Sequence, residues 1–158
     1  MSAPIAALVN ACGALLPTGV LVAALWAEPE RVGYFTLPRR LLARYRQLPA
    51  FDPEAPGTFR YATLEQVERD FARAGFSLEH VEEMEVPVFE APTGAELVAW
   101  VRAFGLAQLL NGLPEDDQRA WQRDFLTEVE RGRTGGLVRL GGVTRIVVAR
   151  VRTPPVSL

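Results

Sequence analysis

The run Glu79-His80-Val81-Glu82-Glu83 places an imidazole among carboxylates, the setting in which a histidine is tuned as a general base. A surface histidine on a solvated strand has the same composition, and both readings stand at this point. The acidic triplet Glu115-Asp116-Asp117 directly follows Pro114; carboxylates in a first helical turn complement the helix dipole, and metal binding ranks second. Arg39, Arg40, Arg44 and Arg46 carry charge that could meet an anionic substrate, but the reading preferred for them is a solvated helix face whose long stems cover apolar surface. Trp26, Tyr34 and Phe35 follow the end of an apolar strand, and in open α/β sheets ligands bind beyond the C-terminal ends of strands. Packing as ordinary core is the other reading for these three. Trp100, Phe104, Trp121 and Phe125 recur at helical spacing, the pattern of a core face.

The composition narrows the chemistry. All 17 basic residues are arginine, so the chain has no Schiff-base amine and no Walker-type phosphate loop. His80 is the only histidine and Cys12 the only cysteine, which removes an intrachain disulfide and a Cys/His metal site; no Ser/His/Asp or Cys/His arrangement is found. A net charge of -2 argues against nucleic acid as a partner. Residues 1–27 are uncharged but lack the basic start of a secretory signal. Asn10, Gly13, Pro17, Thr18 and Gly19 break the run of about 20 apolar residues that a spanning helix requires. A cytoplasmic protein with no membrane partner is expected.

The elements that must position these residues are legible in outline. With 158 residues, 49% of them hydrophobic, the chain is long enough for one domain, 1–158, with a modest core. Pro4 suits a first helical turn, and Ile5, Leu8, Val9, Cys12, Leu15 and Leu16 share an apolar face until Pro17 and Gly19 end the helix. Val20–Trp26 has no polar residue, the pattern of a strand buried on both faces. A proline-rich excursion over 27–60 follows, with one Arg-rich amphipathic helix at 38–47. Thr63 and Gln66 form a capping box that opens a helix through Leu64, Val67, Phe71 and Ala74 and stops at Gly75. The strand at 76–89 carries Glu79, Glu82, Glu83 and Glu85, which implies a wet face or an edge position. Thr93 caps a helix running from 94 to about 110, Pro114 opens another that ends near Gly132, and 137–140 and 143–151 read as two strands.

This order of helix, Leu16-Pro17-Thr18-Gly19 turn, apolar strand, excursion, capped helix, Ala74-Gly75-Phe76, strand, helices and last strand resembles the C-terminal half of class I S-adenosylmethionine-dependent methyltransferases, of the small-molecule type related to quinone-biosynthesis enzymes. In that family an LxPGG turn leads into the fifth strand, and an AGF precedes the sixth. The middle of the turn is Thr18 here, where the family commonly has glycine. The resemblance covers nearly the whole chain. It implies an α/β, partial Rossmann-like fold with about three core strands and four to five helices, the last strand lying antiparallel between the other two. It also implies that the excursion and a helical insertion at 92–132 form a substrate-side cap. Trp26, Tyr34, Phe35, Trp100 and Phe104 would then line a pocket for a small acceptor molecule, and His80 falls on a strand that the family holds far from the reacting methyl group.

The family's cofactor features are a glycine-rich loop after the first strand and an acidic residue closing the second. Neither has a counterpart here, and the pairs Gly135-Gly136 and Gly141-Gly142 stand near the wrong end of the chain. S-adenosylmethionine is the implied cofactor, yet this chain alone is not expected to bind it or to turn over. Three function classes follow. The first is the substrate-side portion of a methyltransferase, from a truncated gene product or a split enzyme, inactive without a cofactor-binding half. The second is a non-catalytic binding or regulatory module, and the third an independent small-ligand-binding homodimer. The strand Val20–Trp26 lacks the neighbour that covers it in the complete family fold, so self-association or a separate chain is expected at its open edge.

Overall fold

The computed structural model describes residues 4–103 and 106–152. Its elements are α1 (Pro4–Ala14), β1 (Val20–Trp26), a 3-10 turn (Pro29–Arg31), α2 (Gly33–Leu42), α3 (Leu64–Arg73), β2 (Phe76–Ala91), α4 (Gly94–Ala103), α5 (Ala107–Asn111), α6 (Glu115–Arg131) and β3 (Val138–Val151). The fold class is α/β. The strands form one sheet in the order β1-β3-β2. β3 runs antiparallel to β1, with Val20 opposite Arg150 and Trp26 opposite Thr144. On its other side Arg150 pairs with Glu79 and Arg145 with Glu83, so moving forward along β2 means moving back along β3. The last strand is therefore central and antiparallel, as expected.

The chain divides into two compact units: Met1–Glu28, Asp52–Met84 and Val143–Leu158 form unit 1, and Pro29–Phe51 and Glu85–Gly142 form unit 2. In unit 1, α1 packs on α3. Leu8, Cys12 and Leu15, and Leu21, Ala23 and Leu25 of β1, pack against a core that includes Val67, Phe71, Phe76, Val147 and Ala149. Each large apolar side chain buried there contributes about 1.5–3 kcal/mol. The capping box of α3 is present: the Gln66 N–H donates to Thr63 Oγ1 at 3.2 Å, and the Thr63 N–H donates to Gln66 Oε1 at 3.1 Å. The chain leaves the helix through Gly75 at φ +94°, where a side chain would be strained.

One expectation for β1 is corrected. The strand is not buried on both faces, because its burial alternates: the odd-numbered side chains join the core, while Val22 remains 62% exposed. An uninterrupted apolar run reads as two-sided burial only when both faces are covered.

In unit 2, Leu41, Leu42, Leu97, Val101, Leu110, Trp121, Phe125, Val138 and Leu140 form the core. Trp121 and Phe125 stack with centroids 5.2 Å apart, and the indole N–H of Trp121 donates to the Pro38 carbonyl at 3.2 Å. The excursion helix begins at Gly33, not at Pro38, which falls inside α2 and is buried. An interior proline costs about 3 kcal/mol, which burial of Leu41 and Leu42 in the same helix offsets.

The single helix expected at 94–110 is two, α4 and α5, with 104–105 outside the described residues, so six α-helices are described in place of four to five. The opening turn of α4 is held from two sides. The Thr93 hydroxyl donates to Glu96 Oε1 at 3.0 Å, and the Gly94 N–H donates to Glu130 Oε1 at 3.3 Å.

The two strands expected at 137–140 and 143–151 are likewise one, β3, which passes through Gly141 and Gly142 without a turn. These glycines serve close approach. A Cβ on Gly141 would press on the Val86 carbonyl oxygen, and one on Gly142 would come within 2.7 Å of Val32 Cα.

Candidate functional site

The glycine contacts in unit 2 build a cleft. Gly33, Gly141 and Gly142 line it together with Leu37, Val86, Pro87, Val129 and Leu140, and its volume is about 630 Å³. That lies in the range that accommodates a small molecule. Its charged lining includes Arg31, Arg139, Glu85, Glu90 and Glu128, with Arg139 ion-paired to Glu90. Apolar walls carrying both signs of charge suit a small molecule with separate apolar and polar ends. A neighbouring groove of about 330 Å³ is lined by Phe35, Arg39, Leu48, Pro49 and Phe51, among others.

The structure brings two of the residues singled out from sequence together. Tyr34 and Trp100 meet edge to face at 6.0 Å, and Phe89 lies 5.5 Å from the same indole. All three are half-buried against the core of unit 2, and burial raises the Tyr34 hydroxyl above its ordinary pKa. Phe35 stands apart from this trio, on the smaller groove, with the Arg39 guanidinium 5.8 Å from its ring centre. Trp26 closes β1 in unit 1 and is half-buried. Phe104 lies outside the described residues. Trp121 and Phe125 are core, as their spacing suggests.

The arginine cluster is engaged with protein. Arg39 donates to the Pro49 carbonyl at 2.5 Å, Arg44 to Asp124 at 2.8 Å and Arg46 to the Leu109 carbonyl at 3.1 Å, while Arg40 lies 3.8 Å from Glu128. His80 is 61% exposed and lies 3.6 Å from an equally exposed Glu82, the surroundings of a surface histidine. Glu115, Asp116 and Asp117 stand in the first turn of α6, where carboxylates complement the helix dipole, and Glu115 and Asp116 also pair with Arg119 one turn along, at 2.9 and 2.7 Å. Among the described residues no group of His, Cys, Asp and Glu side chains is arranged to hold a metal ion.

Sequence reasoning missed the cleft residues Arg31, Glu85, Arg139, Gly141 and Gly142, and Phe89 of the aromatic trio. The Gly141-Gly142 pair inside an otherwise apolar strand was the available signal, since glycine in a strand marks a close backbone approach. Comparison with protein-family models gives no match, and comparison with curated protein sequences gives none.

Proposed function

We propose that the chain is the C-terminal, substrate-side portion of an S-adenosylmethionine-dependent methyltransferase acting on a small molecule, dependent for turnover on a cofactor-binding half. The observation that carries this reading is the sheet order β1-β3-β2 with the last strand antiparallel and central. It joins the helix, Pro-Thr-Gly turn and strand at the start of the chain and the Ala-Gly-Phe passage into β2. Methyl transfer depends chiefly on holding the acceptor in line with the methyl donor and asks little acid-base chemistry of the protein. The cleft of unit 2 supplies surface for holding such an acceptor, while Tyr34, Phe89 and Trp100 pack against the core outside its lining.

The described residues do not fit the cofactor itself. β1 runs on into a 3-10 turn at Pro29–Arg31, and the positive-φ glycines Gly135 and Gly136 precede a strand rather than follow one. No step through the cofactor is therefore assigned to this chain. Dialysis of the chain alone against S-adenosylhomocysteine should show no retention, and retention would overturn this division of labour. The direct test is to translate the DNA preceding the Met1 codon and assay the chain with any glycine-rich half encoded there. Methyl transfer that requires this chain supports the reading; transfer that proceeds equally without it sinks the reading. If no such half is encoded, a second reading takes over, a non-catalytic module that docks through the β1 edge. The exposure of Val20 and Val22 favours that alternative.

A further inference from the structure

Helix α2 presents two faces. Pro38, Leu41 and Leu42 are buried in unit 2, while Phe35, Thr36, Arg39, Arg40 and Ala43 recur one turn apart along a neighbouring face and line the smaller groove of about 330 Å³. After the helix, Leu48, Pro49 and Phe51 return to wall the same groove. Arg39 pins that return, donating to the Pro49 carbonyl with its guanidinium over the Phe35 ring. The groove shares no lining residue with the larger cleft.

Its polar chemistry rests on few groups. The Thr36 hydroxyl donates to the Val32 carbonyl at 3.1 Å, which commits its proton to the helix. Of the four clustered arginines, Arg40 alone makes no hydrogen bond among the described residues. The Glu128 carboxylate it faces is 3.8 Å away, beyond hydrogen-bond range, and the other oxygen of that carboxylate accepts from Arg131 at 2.7 Å. The Arg40 side chain is 66% exposed and offers its fork of donors at the groove. Glu30 is the one acidic residue in the lining.

We propose that this groove binds a small aromatic monocarboxylate, its ring against Phe35 and Phe51 and its carboxylate on the Arg40 guanidinium. The charge selects the head group: a planar guanidinium fork matches a carboxylate with two parallel hydrogen bonds. Two guanidinium groups against the single carboxylate of Glu30 accommodate one negative charge, and a second, as on a phosphate ester, meets repulsion from Glu30. The size selects the body. A volume of about 330 Å³ stands at the lower end of small-molecule sites, enough for one ring on a short chain. The walls select the ring, since Phe51 is 45% exposed and an aromatic face covers such a side chain well. The proposal does not rest on the methyltransferase reading.

Titration of the full chain with phenylacetate, followed by amide NMR shifts, tests it. Saturable shifts are expected at Thr36, Arg40, Ala43 and Phe51, with a dissociation constant of about 1 mM for a ligand of this size. Phenylacetamide has the same shape without the charge and should bind about tenfold more weakly. No saturable shift, equal binding of acid and amide, or shifts that gather at Gly33 and Gly141 of the larger cleft each overturn the proposal, and none of these readouts depends on a variant folding. Phenyl phosphate should bind more weakly than phenylacetate; tighter binding assigns the groove to phosphate esters and overturns the carboxylate. Arg40→Gln alters an exposed side chain and should erase the preference for the acid while the amide's affinity stays within about twofold; a preference that survives overturns the role given to Arg40. Phe51→Ala should weaken acid and amide alike by about fivefold, and unchanged binding there overturns the placement of the ring.

Discussion

The Asp70 carboxylate is fully buried and accepts a hydrogen bond from Arg60 Nη2 at 2.5 Å, in a guanidinium whose side chain is itself only 8% exposed. Arg69 approaches the other carboxylate oxygen at 3.0 Å, and Glu54 closes the group at 3.3 Å from Arg60 and 3.1 Å from Arg69. The network ties the loop before α3 to the helix inside unit 1. Removing Asp70 leaves the buried Arg60 guanidinium facing only the exposed Glu54. Asp70→Ala is expected to lose about 3–5 kcal/mol in urea unfolding. Adding Arg60→Met should recover most of that loss, and a double variant no more stable than Asp70→Ala would show that the pair is not the cause.

Thr63→Ala removes the acceptor for the Gln66 N–H. The expected loss is about 1 kcal/mol, the usual worth of an N-cap side chain, read from the urea midpoint. Thr63→Ser keeps the acceptor and should stay within a few tenths of a kcal/mol of the parent.

Gly141→Ala and Gly13→Ala should act in opposite directions. An added Cβ at Gly141 meets backbone at Val86 and Pro87, whereas at Gly13, on helix α1, it meets nothing within 4 Å. Gly141→Ala is expected to cost about 1–3 kcal/mol through overpacking, and Gly13→Ala to add about 0.5–1 kcal/mol through backbone entropy. Thermal melts of the two variants beside the parent would decide the matter; equal shifts would refute the close-approach role given to Gly141.

Acid should weaken the fold through carboxylates held by neighbouring donors. Hydrogen bonds from Gln66 and Arg69 hold Glu54 below the ordinary carboxylate value, Arg150 does the same for Glu79, and Arg133 for Glu130. A carboxylate whose folded pKa is depressed adds stability that is complete above its unfolded value, near 4.5, and that is lost as the pH falls through the folded value. The urea midpoint should therefore hold from neutral pH to about pH 5 and drop below about pH 4.5. In Arg150→Met the drop should be shallower, because Glu79 then titrates alike in both states; an unchanged acid slope would remove Glu79 from the account.

Local chemistry made some features readable before any packing was known. The Thr63–Gln66 box and the stop at Gly75 depend on hydrogen bonds and dihedrals spanning a few residues, so spacing was enough to place them. The glutamates at 76–89 imply a wet face or an edge position for a similar reason, since carboxylates recurring along a strand need water on at least one side, and β2 lies at an edge of the sheet. Cleft and aromatic trio were not readable in that way. Glycine pairs look alike in a turn and in a crowded strand, and only the approach of Val32 and Val86, far away in sequence, made Gly141 and Gly142 strand residues. Pro38 resembles a helix start until Leu41, Leu42 and Trp121 bury the turns around it. Phe89 gains its meaning from Trp100 on another element, and the free face of β1 from helices that cover one side only. Residue types and short-range spacing decided which elements form and where helices are capped. Burial, partners and open edges were decided by contacts between distant segments, whose energies depend on what each surface meets after folding and carry no local signature.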